Sequence, residues 1–259
     1  MGPIDASVEG RVLSSKHPCD LRWVEVVAVS TLTPRMRRIV LGGPALEGFT
    51  LKPGVLAPHI GLVVPAGDGS AGAPPRVYSV RRFDAAAGTL EVNFVLHGAG
   101  LASGWAARAR PGERVGLSVS GGIAMKPAGR YVVAGDHAAL PAIAHLLENL
   151  PADASAEVFI EVPGPAERQE LASPAATSIT WFHRDRHAAS GASPLPEAVM
   201  AAAAAGVREG LAVWSGTEHG TAQRIRGHVR QNLQLPPDAC SVVAYWKASV
   251  AQGGFEHYG

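Results

Sequence analysis

The chain has 259 residues, 47% of them hydrophobic, and its 23 Lys and Arg residues nearly balance 22 Asp and Glu residues. This composition is too hydrophobic for a disordered chain. Its near-zero net charge also excludes an overall electrostatic attraction to nucleic acid or an anionic membrane. Cys19 and Cys240 lie far apart, without the spacing of a zinc or iron-sulfur site, which favours a reducing compartment. The first residues lack the apolar core of a signal peptide, and no stretch of about 18 apolar residues occurs. We therefore expect a cytoplasmic protein with no nucleic-acid partner and no membrane span.

The first half of the chain contains short segments rich in Val, Ile, Leu and aromatic residues, each bounded by Gly or Pro. Such segments are typical of β-strands. The predicted strands are Leu21–Ser30, Arg35–Gly42, His59–Pro65, Arg76–Arg81, Leu90–His97 and Arg114–Val119. One predicted helix, Leu101–Ala109, interrupts them. This spacing favours an all-β antiparallel barrel or sandwich.

The second half alternates between apolar strands and helical segments, which predicts a parallel sheet with helices on both faces. The predicted strands are Arg130–Ala134, Ala156–Val162, Ile179–His183, Leu211–Ser215 and Ser241–Trp246. The predicted helices are Pro141–Asn149, Pro196–Ala205 and His219–Leu233. Gly and Pro cluster between residues 121 and 129, so we expect a β-barrel domain at 1–125 and an α/β domain at 126–259.

A first candidate site lies on the strand that follows the loop Gly67–Pro75. Arg76 offers the parallel donors that suit a pyrophosphate, and Tyr78 offers a flat ring suited to an isoalloxazine, so FAD would fit both. Strand alternation places these two side chains on one face of the strand. Val77 and Ser79 point to the other face. Taken alone, the pattern is better explained by an ordinary strand with an exposed Arg and a half-buried Tyr.

A second candidate site is the glycine turn after the strand that contains Val95 and His97. Gly98 and Gly100 precede a helix, and a helix N-terminus exposes free N–H groups that suit a phosphate. Ala102 and Ser103 are small enough to allow close approach. The alternative is a surface helix anchored in the core by Trp105, with His97 as an ordinary barrel residue.

A third candidate site begins at Asp136, where a buried strand turns into a helix. The carboxyl end of the first strand is where an open α/β sheet binds its ligand. The residues that follow in the turn and first helical positions are Ala139, Leu140 and Pro141. The alternative is a plain turn that Asp136 caps.

Taken together, these motifs resemble the siderophore-interacting protein family of FAD-dependent ferric-siderophore reductases. The matching segments are Arg76–Arg82, Phe94–Gly98, Gly100–Ala106, Pro111–Glu113, Ala134–Ile143, Gly216–Glu218 and Tyr245–Lys247. The resemblance implies a ferredoxin-reductase-like fold, with a barrel that binds FAD and an α/β half that receives electrons from NADPH, NADH or a ferredoxin. This chain departs from the family pattern at Leu101, where the family commonly has Pro, and at Ala138, where the family commonly has Thr.

The resemblance also implies roles for the candidate residues. FAD-binding or donor-binding roles fall on Arg76, Val77, Tyr78, Ser79, Val95, His97, Gly98, Gly100, Ala102, Ser103, Trp105, Asp136, Ala139, Leu140 and Pro141. Electron transfer requires proximity and suitable potentials. We therefore predict no residue for proton transfer and no protein ligand for iron, which the siderophore would hold.

The C-terminal part offers candidates for binding an anionic ferric siderophore. Ala222, Ile225, Val229 and Leu233 form an apolar stripe on the last helix, which leaves Arg226 and Arg230 together elsewhere. These arginines, with Trp246 and Lys247, are the candidates for chelate binding, and a solvated basic helix face is the alternative. Two other functions stay open: a general NAD(P)H:flavin or quinone-type oxidoreductase, and a non-catalytic flavoprotein or siderophore-binding carrier.

Overall fold

The computed structural model describes residues 21–64, 75–98, 100–118, 121–187, 191–206 and 209–248. The loop Gly67–Pro75, except for Pro75, lies outside the described residues, as do Val119 and the residues after Ala248. Of the described residues, none belongs to a helix long and apolar enough to cross a membrane.

The first half folds into one antiparallel sheet of seven strands, in the order β4-β3-β7-β1-β2-β6-β5. The strands are β1 Arg22–Thr33, β2 Met36–Gly42, β3 His59–Val63, β4 Arg76–Ser79, β5 Arg82–Asp84, β6 Thr89–Val95 and β7 Arg114–Leu117. Helix α1, Leu101–Arg108, follows β6. The predicted antiparallel class is confirmed. The short strand β5 was missed, because three residues are too few for an alternating pattern to emerge.

The connection between β4 and β5 forces this sheet to curl. The two strands lie at opposite ends of the strand order, yet only Val80 and Arg81 separate them. Two residues span less than about 11 Å, whereas six strand spacings in a flat sheet would span about 29 Å. The rings of Tyr78 on β4 and Phe94 on β6 are accordingly only 4.5 Å apart. The sheet is therefore barrel-like, although its hydrogen-bonded ladder does not close within the described part of the chain.

The second half forms a five-stranded parallel sheet in the order β10-β9-β8-β11-β12, as the alternating pattern predicted. Its strands are β8 Arg130–Asp136, β9 Ser155–Val162, β10 Ala176–His183, β11 Leu211–Glu218 and β12 Cys240–Trp246. Its helices are α2 Leu140–Glu148, α3 Arg184–His187, α4 Leu195–Ala204 and α5 His219–His228. The helix predicted to reach Leu233 ends at His228 and continues as one wider π-helical turn, Val229–Leu233.

Alternating residues of β8 show how the two faces of this sheet are covered. Tyr131 and Val133 pack with α2 in one apolar cluster. Val132 and Ala134 pack with α4 and α5 in another. The α2 cluster also contains Met36 from the barrel, so the barrel packs on the α2 side of the parallel sheet. This packing brings β4 towards the carboxyl ends of β8, β11 and β12.

Candidate functional site

Strand β4 carries Arg76, Val77 and Tyr78 as half-buried residues and ends at the buried Ser79. Burial raises the pKa of Tyr78 to about 12, and the positive charge of Arg76 acts in the opposite direction. Tyr78 therefore stays protonated at neutral pH and presents a neutral ring and a hydroxyl group. The influence of Arg76 on Tyr78 agrees with the prediction that strand alternation places both side chains on one face.

Ser79 faces the α/β half of the molecule. Its Oγ donates a hydrogen bond to the phenolic oxygen of Tyr245, on β12, over 3.3 Å. Burial raises the pKa of Tyr245 to about 12, so this hydroxyl also stays protonated. The end of β4 thus meets the carboxyl end of the last parallel strand.

The glycine turn after β6 has the backbone geometry that the sequence suggested. Gly98 and Gly100 have φ of 74° and 86°, a region that L side chains rarely adopt. Gly100 directly precedes α1. The exposed His97 donates its backbone N–H to the Oγ of Ser103 over 3.1 Å, which ties the turn to the first helical turn. Val95, at the end of β6, is half-buried and packs against the cluster shared with α2.

Three residues assigned to the phosphate loop have buried side chains. Ala102 and Ser103 are buried, and Trp105 lies in the barrel core with its ring centre 5.6 Å from that of Phe94 and its Nε1 donating to Glu113 at 2.9 Å. The structure therefore places the Trp105 side chain as a core anchor, which was the alternative reading of this segment. The Oγ of Ser103 already accepts the N–H of His97, so any contact with a phosphate would come from the backbone of Gly100 and the free N–H groups of the first turn of α1.

Asp136 is buried where β8 ends, at the point where strand order reverses between β8 and β11. Its carboxylate accepts hydrogen bonds from the backbone N–H of Ala138 and Glu218, both at 2.9 Å, and from Trp246 Nε1 at 2.8 Å. Burial raises the pKa of Asp136 to about 6, although these hydrogen bonds lower it. Asp136 therefore links three carboxyl-edge segments, and its oxygens already have protein partners.

The turn after Asp136 packs closely against Gly135 and Gly216. A Cβ added at Gly135 would lie 2.9 Å from Ala139 Cβ, and one added at Gly216 would lie 3.0 Å from the same atom. Leu140 and Pro141 are buried as well. The side chains predicted to begin the donor site thus hold α2 against the sheet, and a docking ligand would meet the turn above them.

Trp246 and Arg184 lie together over this turn. The guanidinium carbon of Arg184, just beyond β10, is 5.9 Å from the centre of the Trp246 ring. The Nε of Arg184 is also 3.2 Å from Glu161 at the end of β9. Lys247, the next residue after Trp246, is exposed. Among the described residues, Arg184 and Lys247 bring positive charge to the carboxyl edge beside the Ser79–Tyr245 contact.

The two arginines predicted on the last helix, Arg226 of α5 and Arg230 of the π-helical turn, lie farther from this edge. Arg226 is half-buried and donates from Nη2 to the carbonyl of Val242 at 2.5 Å. Burial raises the pKa of Cys240, while the charges of Arg230 and Arg226 lower it, so Arg230 lies near the start of β12. The six residue steps from Cys240 to Trp246 span about 20 Å of strand. This placement separates Arg230 from Trp246 and Lys247.

A buried polar cluster that the sequence did not indicate joins the two sheets. The Glu167 residue is 3% exposed and accepts hydrogen bonds from the hydroxyl of Thr33 and, at 3.0 Å, from the backbone N–H of Arg35. His137 Nε2 is 3.1 Å from the same carboxylate. Burial lowers the pKa of His137, and Glu167 opposes that shift. Glu167 follows a Pro-Gly-Pro-Ala turn, and no local signal there marks a buried acid.

The architecture places the protein in a class. A barrel-like antiparallel sheet followed by a parallel α/β sheet is the ferredoxin-reductase-like fold. Residues 66–123 match the model of the siderophore-interacting FAD-binding domain, and residues 128–249 match the model of the siderophore-interacting protein. The chain belongs to the siderophore-interacting protein family.

Similar proteins agree with this assignment. A crystal structure of a siderophore utilization protein from T. fusca has 33% identity and a TM-score of 0.78, and the match covers 94% of this chain and 98% of that chain. Ferric vibriobactin reductase ViuB of Vibrio cholerae is 32% identical over 67% of this chain and 64% of its own length. Ferric acinetobactin reductase of Acinetobacter baumannii is 27% identical over 93% of this chain and 85% of its own length.

Proposed function

We propose that this protein binds FAD and reduces ferric iron held in a siderophore chelate, with electrons from NADPH, NADH or a ferredoxin. The observation that carries the proposal is the contact between Ser79 and Tyr245. This contact brings the end of β4, the strand that we propose binds the flavin, to the carboxyl edge of the parallel sheet. Parallel sheets of this kind bind dinucleotides at that edge. The names of the two ferric-siderophore reductases above support the same activity.

The residues along β4 and the glycine turn fit FAD. Arg76 supplies a planar cation for the pyrophosphate, and the protonated Tyr78 supplies a ring for the isoalloxazine. A Cβ at Gly98 would meet nothing within 4 Å, and one at Gly100 would meet only His97 at 3.6 Å. The backbone of the turn is therefore open to a phosphate at the N-terminus of α1.

FAD, when bound, supplies the redox chemistry, and the protein supplies its position and surroundings. Tyr78 and Ser79 would orient the isoalloxazine. The hydrogen bond from Ser79 to Tyr245 would hold the end of β4 against the α/β half. Asp136 would act through Trp246, whose indole it holds over the carboxyl edge. The iron enters and leaves as part of the substrate, and we assign it no protein ligand.

The chelate side of the proposal depends on local positive charge. Many siderophore chelates of ferric iron are anionic, and a cationic cleft raises their local concentration. Lys247 is exposed next to Trp246, and Arg184, which lies 5.9 Å from the centre of that ring, is about half exposed. We propose these two residues as the main attraction for the chelate, with Arg226 and Arg230 contributing less because of their distance.

An anaerobic titration tests the function. The purified protein, loaded with FAD, is mixed separately with NADPH, NADH and a reduced ferredoxin while the flavin absorbance is followed. A panel of ferric siderophores is then added, and ferrous iron is captured with a colorimetric chelator. We expect bleaching of the flavin by at least one donor and release of ferrous iron.

Two other outcomes would contradict the proposal. Bleaching without iron release, together with reduction of free flavin or quinone, would identify a general flavin oxidoreductase. Chelate binding by a protein that takes up no FAD would indicate a carrier.

A further inference from the structure

Arg81 and Glu148 form an ion pair between the barrel and the α/β half. Arg81 Nη1 and Nη2 donate to the two carboxylate oxygens of Glu148 at 2.9 and 2.6 Å. The Arg81 and Glu148 side chains are 14% and 24% exposed, so water screens the pair only in part. The hydrogen bond from Arg81 lowers the pKa of Glu148, which keeps this carboxylate charged. A paired, two-point contact of this kind fixes orientation as well as distance.

Two further contacts reinforce the pair. His145, one turn earlier on α2, has Nδ1 3.2 Å from the carbonyl oxygen of Arg81. Burial lowers the pKa of His145, so the ring is neutral and can donate from Nδ1 to that carbonyl. Arg82 Nη2 is 3.7 Å from Glu148. The last turn of α2 is therefore docked on the segment that directly follows β4.

Helix α2 connects the two parts of the candidate site. Its first turn is buried where Ala139 packs on Gly135 and Gly216, at the carboxyl edge that would receive the electron donor. Its last turn holds Arg81, which lies two residues after Ser79 on the flavin-binding strand. A helix of nine residues is about 13 Å long and rigid on this scale. The pair at one end of α2 thus fixes β4 relative to the donor edge at the other.

We propose that Arg81 and Glu148 are positioning residues that set the distance between the flavin and its electron donor. The inference rests on the proposed function. Neither side chain belongs to the set that would touch FAD, so the pair acts through the placement of β4. Transfer between donor and flavin depends steeply on geometry, and a displacement of about 1 Å can slow such a step by about a hundredfold. We expect the transfer of single electrons from the flavin to a ferric chelate to depend less on this geometry, because it needs no contact between two reacting atoms.

The test compares Arg81→Gln and Glu148→Gln with a matched control, Arg130→Gln. Arg130 pairs with Glu157 at 2.8 Å and is 20% exposed, but both residues belong to the parallel sheet. Four quantities are measured in the FAD-loaded protein. They are the melting temperature, the rate of flavin reduction by whichever of NADPH, NADH and reduced ferredoxin bleaches the wild type, the rate at which a ferric siderophore reoxidises chemically reduced protein, and hydrogen exchange in α2. The FAD dissociation constant is measured separately by titrating the apoprotein.

We expect Arg81→Gln and Glu148→Gln to slow reduction by the donor about tenfold or more. The double variant should be no slower than either single variant, because both remove the same pair. FAD affinity and chelate reoxidation should stay within about threefold, while hydrogen exchange at the end of α2 increases. Arg130→Gln should change none of these rates. If the Gln variants fold poorly, Arg81→Lys, which retains the positive charge but not the two-point contact, should give an intermediate rate.

Several outcomes would overturn the inference. Variants reduced as fast as the wild type would show that the pair contributes only to stability. Equal slowing of flavin reduction in Arg130→Gln would show that the effect comes from general destabilisation. Loss of FAD affinity would place Arg81 in the binding site itself. A wild-type protein that no donor reduces would instead refute the proposed function, which separates the two failures.

Discussion

The hydroxyl of Ser79 donates a hydrogen bond of 3.3 Å to the phenolic oxygen of Tyr245, although 166 positions separate the two residues. Ser79 ends the strand proposed to bind the flavin, and Tyr245 lies near the end of the last parallel strand. Burial raises the pKa of Tyr245 to about 12, so its hydroxyl remains protonated throughout the physiological range. This single bond joins the two sheets where the proposed electron path crosses between them.

Tyr245→Phe should lower the free energy of unfolding by about 1 kcal/mol, because the buried Ser79 hydroxyl loses its partner. Ser79→Ala should cost about the same, since it removes the other half of the bond. The double variant should be little worse than either single variant. Urea unfolding of all four proteins provides the measurement. Strictly additive losses would mean that the two hydroxyl groups do not interact.

Arg76→Gln should weaken FAD binding about tenfold to a hundredfold, because a charge-assisted bond to the pyrophosphate is lost. Titration of the apoprotein with FAD, followed by fluorescence, measures the dissociation constant. Arg114→Gln is a suitable control, since Arg114 is exposed at the start of β7. Unchanged affinity in Arg76→Gln would remove Arg76 from the cofactor site.

The stability of the protein should depend on the ionisation of Asp136. Burial raises its pKa from 3.8 to about 6, so between these values the folded chain binds more protons than the unfolded chain. The stabilisation from this group is therefore complete below pH 3.8, falls as pH rises through about 6, and is absent above that. The size of the effect is on the order of 3 kcal/mol, at 1.36 kcal/mol per pKa unit.

Asp136→Asn isolates this contribution, because other titrating groups are the same in both proteins. We expect the unfolding free energy of the wild type minus that of Asp136→Asn to fall as pH rises from about 4 to 7. Denaturant unfolding across this range measures it. A rise of this signed difference with pH would mean that the folded protein stabilises the Asp136 carboxylate instead.

Lys247→Gln should raise the KM for an anionic ferric chelate about threefold or more at low ionic strength, with less effect on kcat. The effect should fade as salt is added, because screening shortens the range of the charge. Arg230→Gln provides the control, since Arg230 lies near the start of β12, away from Trp246. Equal effects of the two substitutions would show that the attraction of the chelate is not concentrated at the carboxyl edge.

Local patterns predicted most elements of the fold, because hydrophobic alternation reflects which face of a strand or helix is buried. The apolar stripe of α5 and the turn that follows illustrates this: Ala222, Ile225, Val229 and Leu233 are all buried. The same pattern did not predict that the regular helix stops at His228. A π-helical turn keeps the apolar residues facing inward, so periodicity alone does not distinguish it from α-helix.

The sequence by itself determined the order of strands and helices, the positions of the glycine turns and the family, because each is carried by neighbouring residues. Only the tertiary structure decided that Ser79 meets Tyr245, that Glu148 holds Arg81, and that Trp105 belongs to the core. The first two contacts join residues far apart in the chain, and their side chains are common on ordinary exposed surfaces. Their roles follow from how two sheets pack, a property that no short segment encodes.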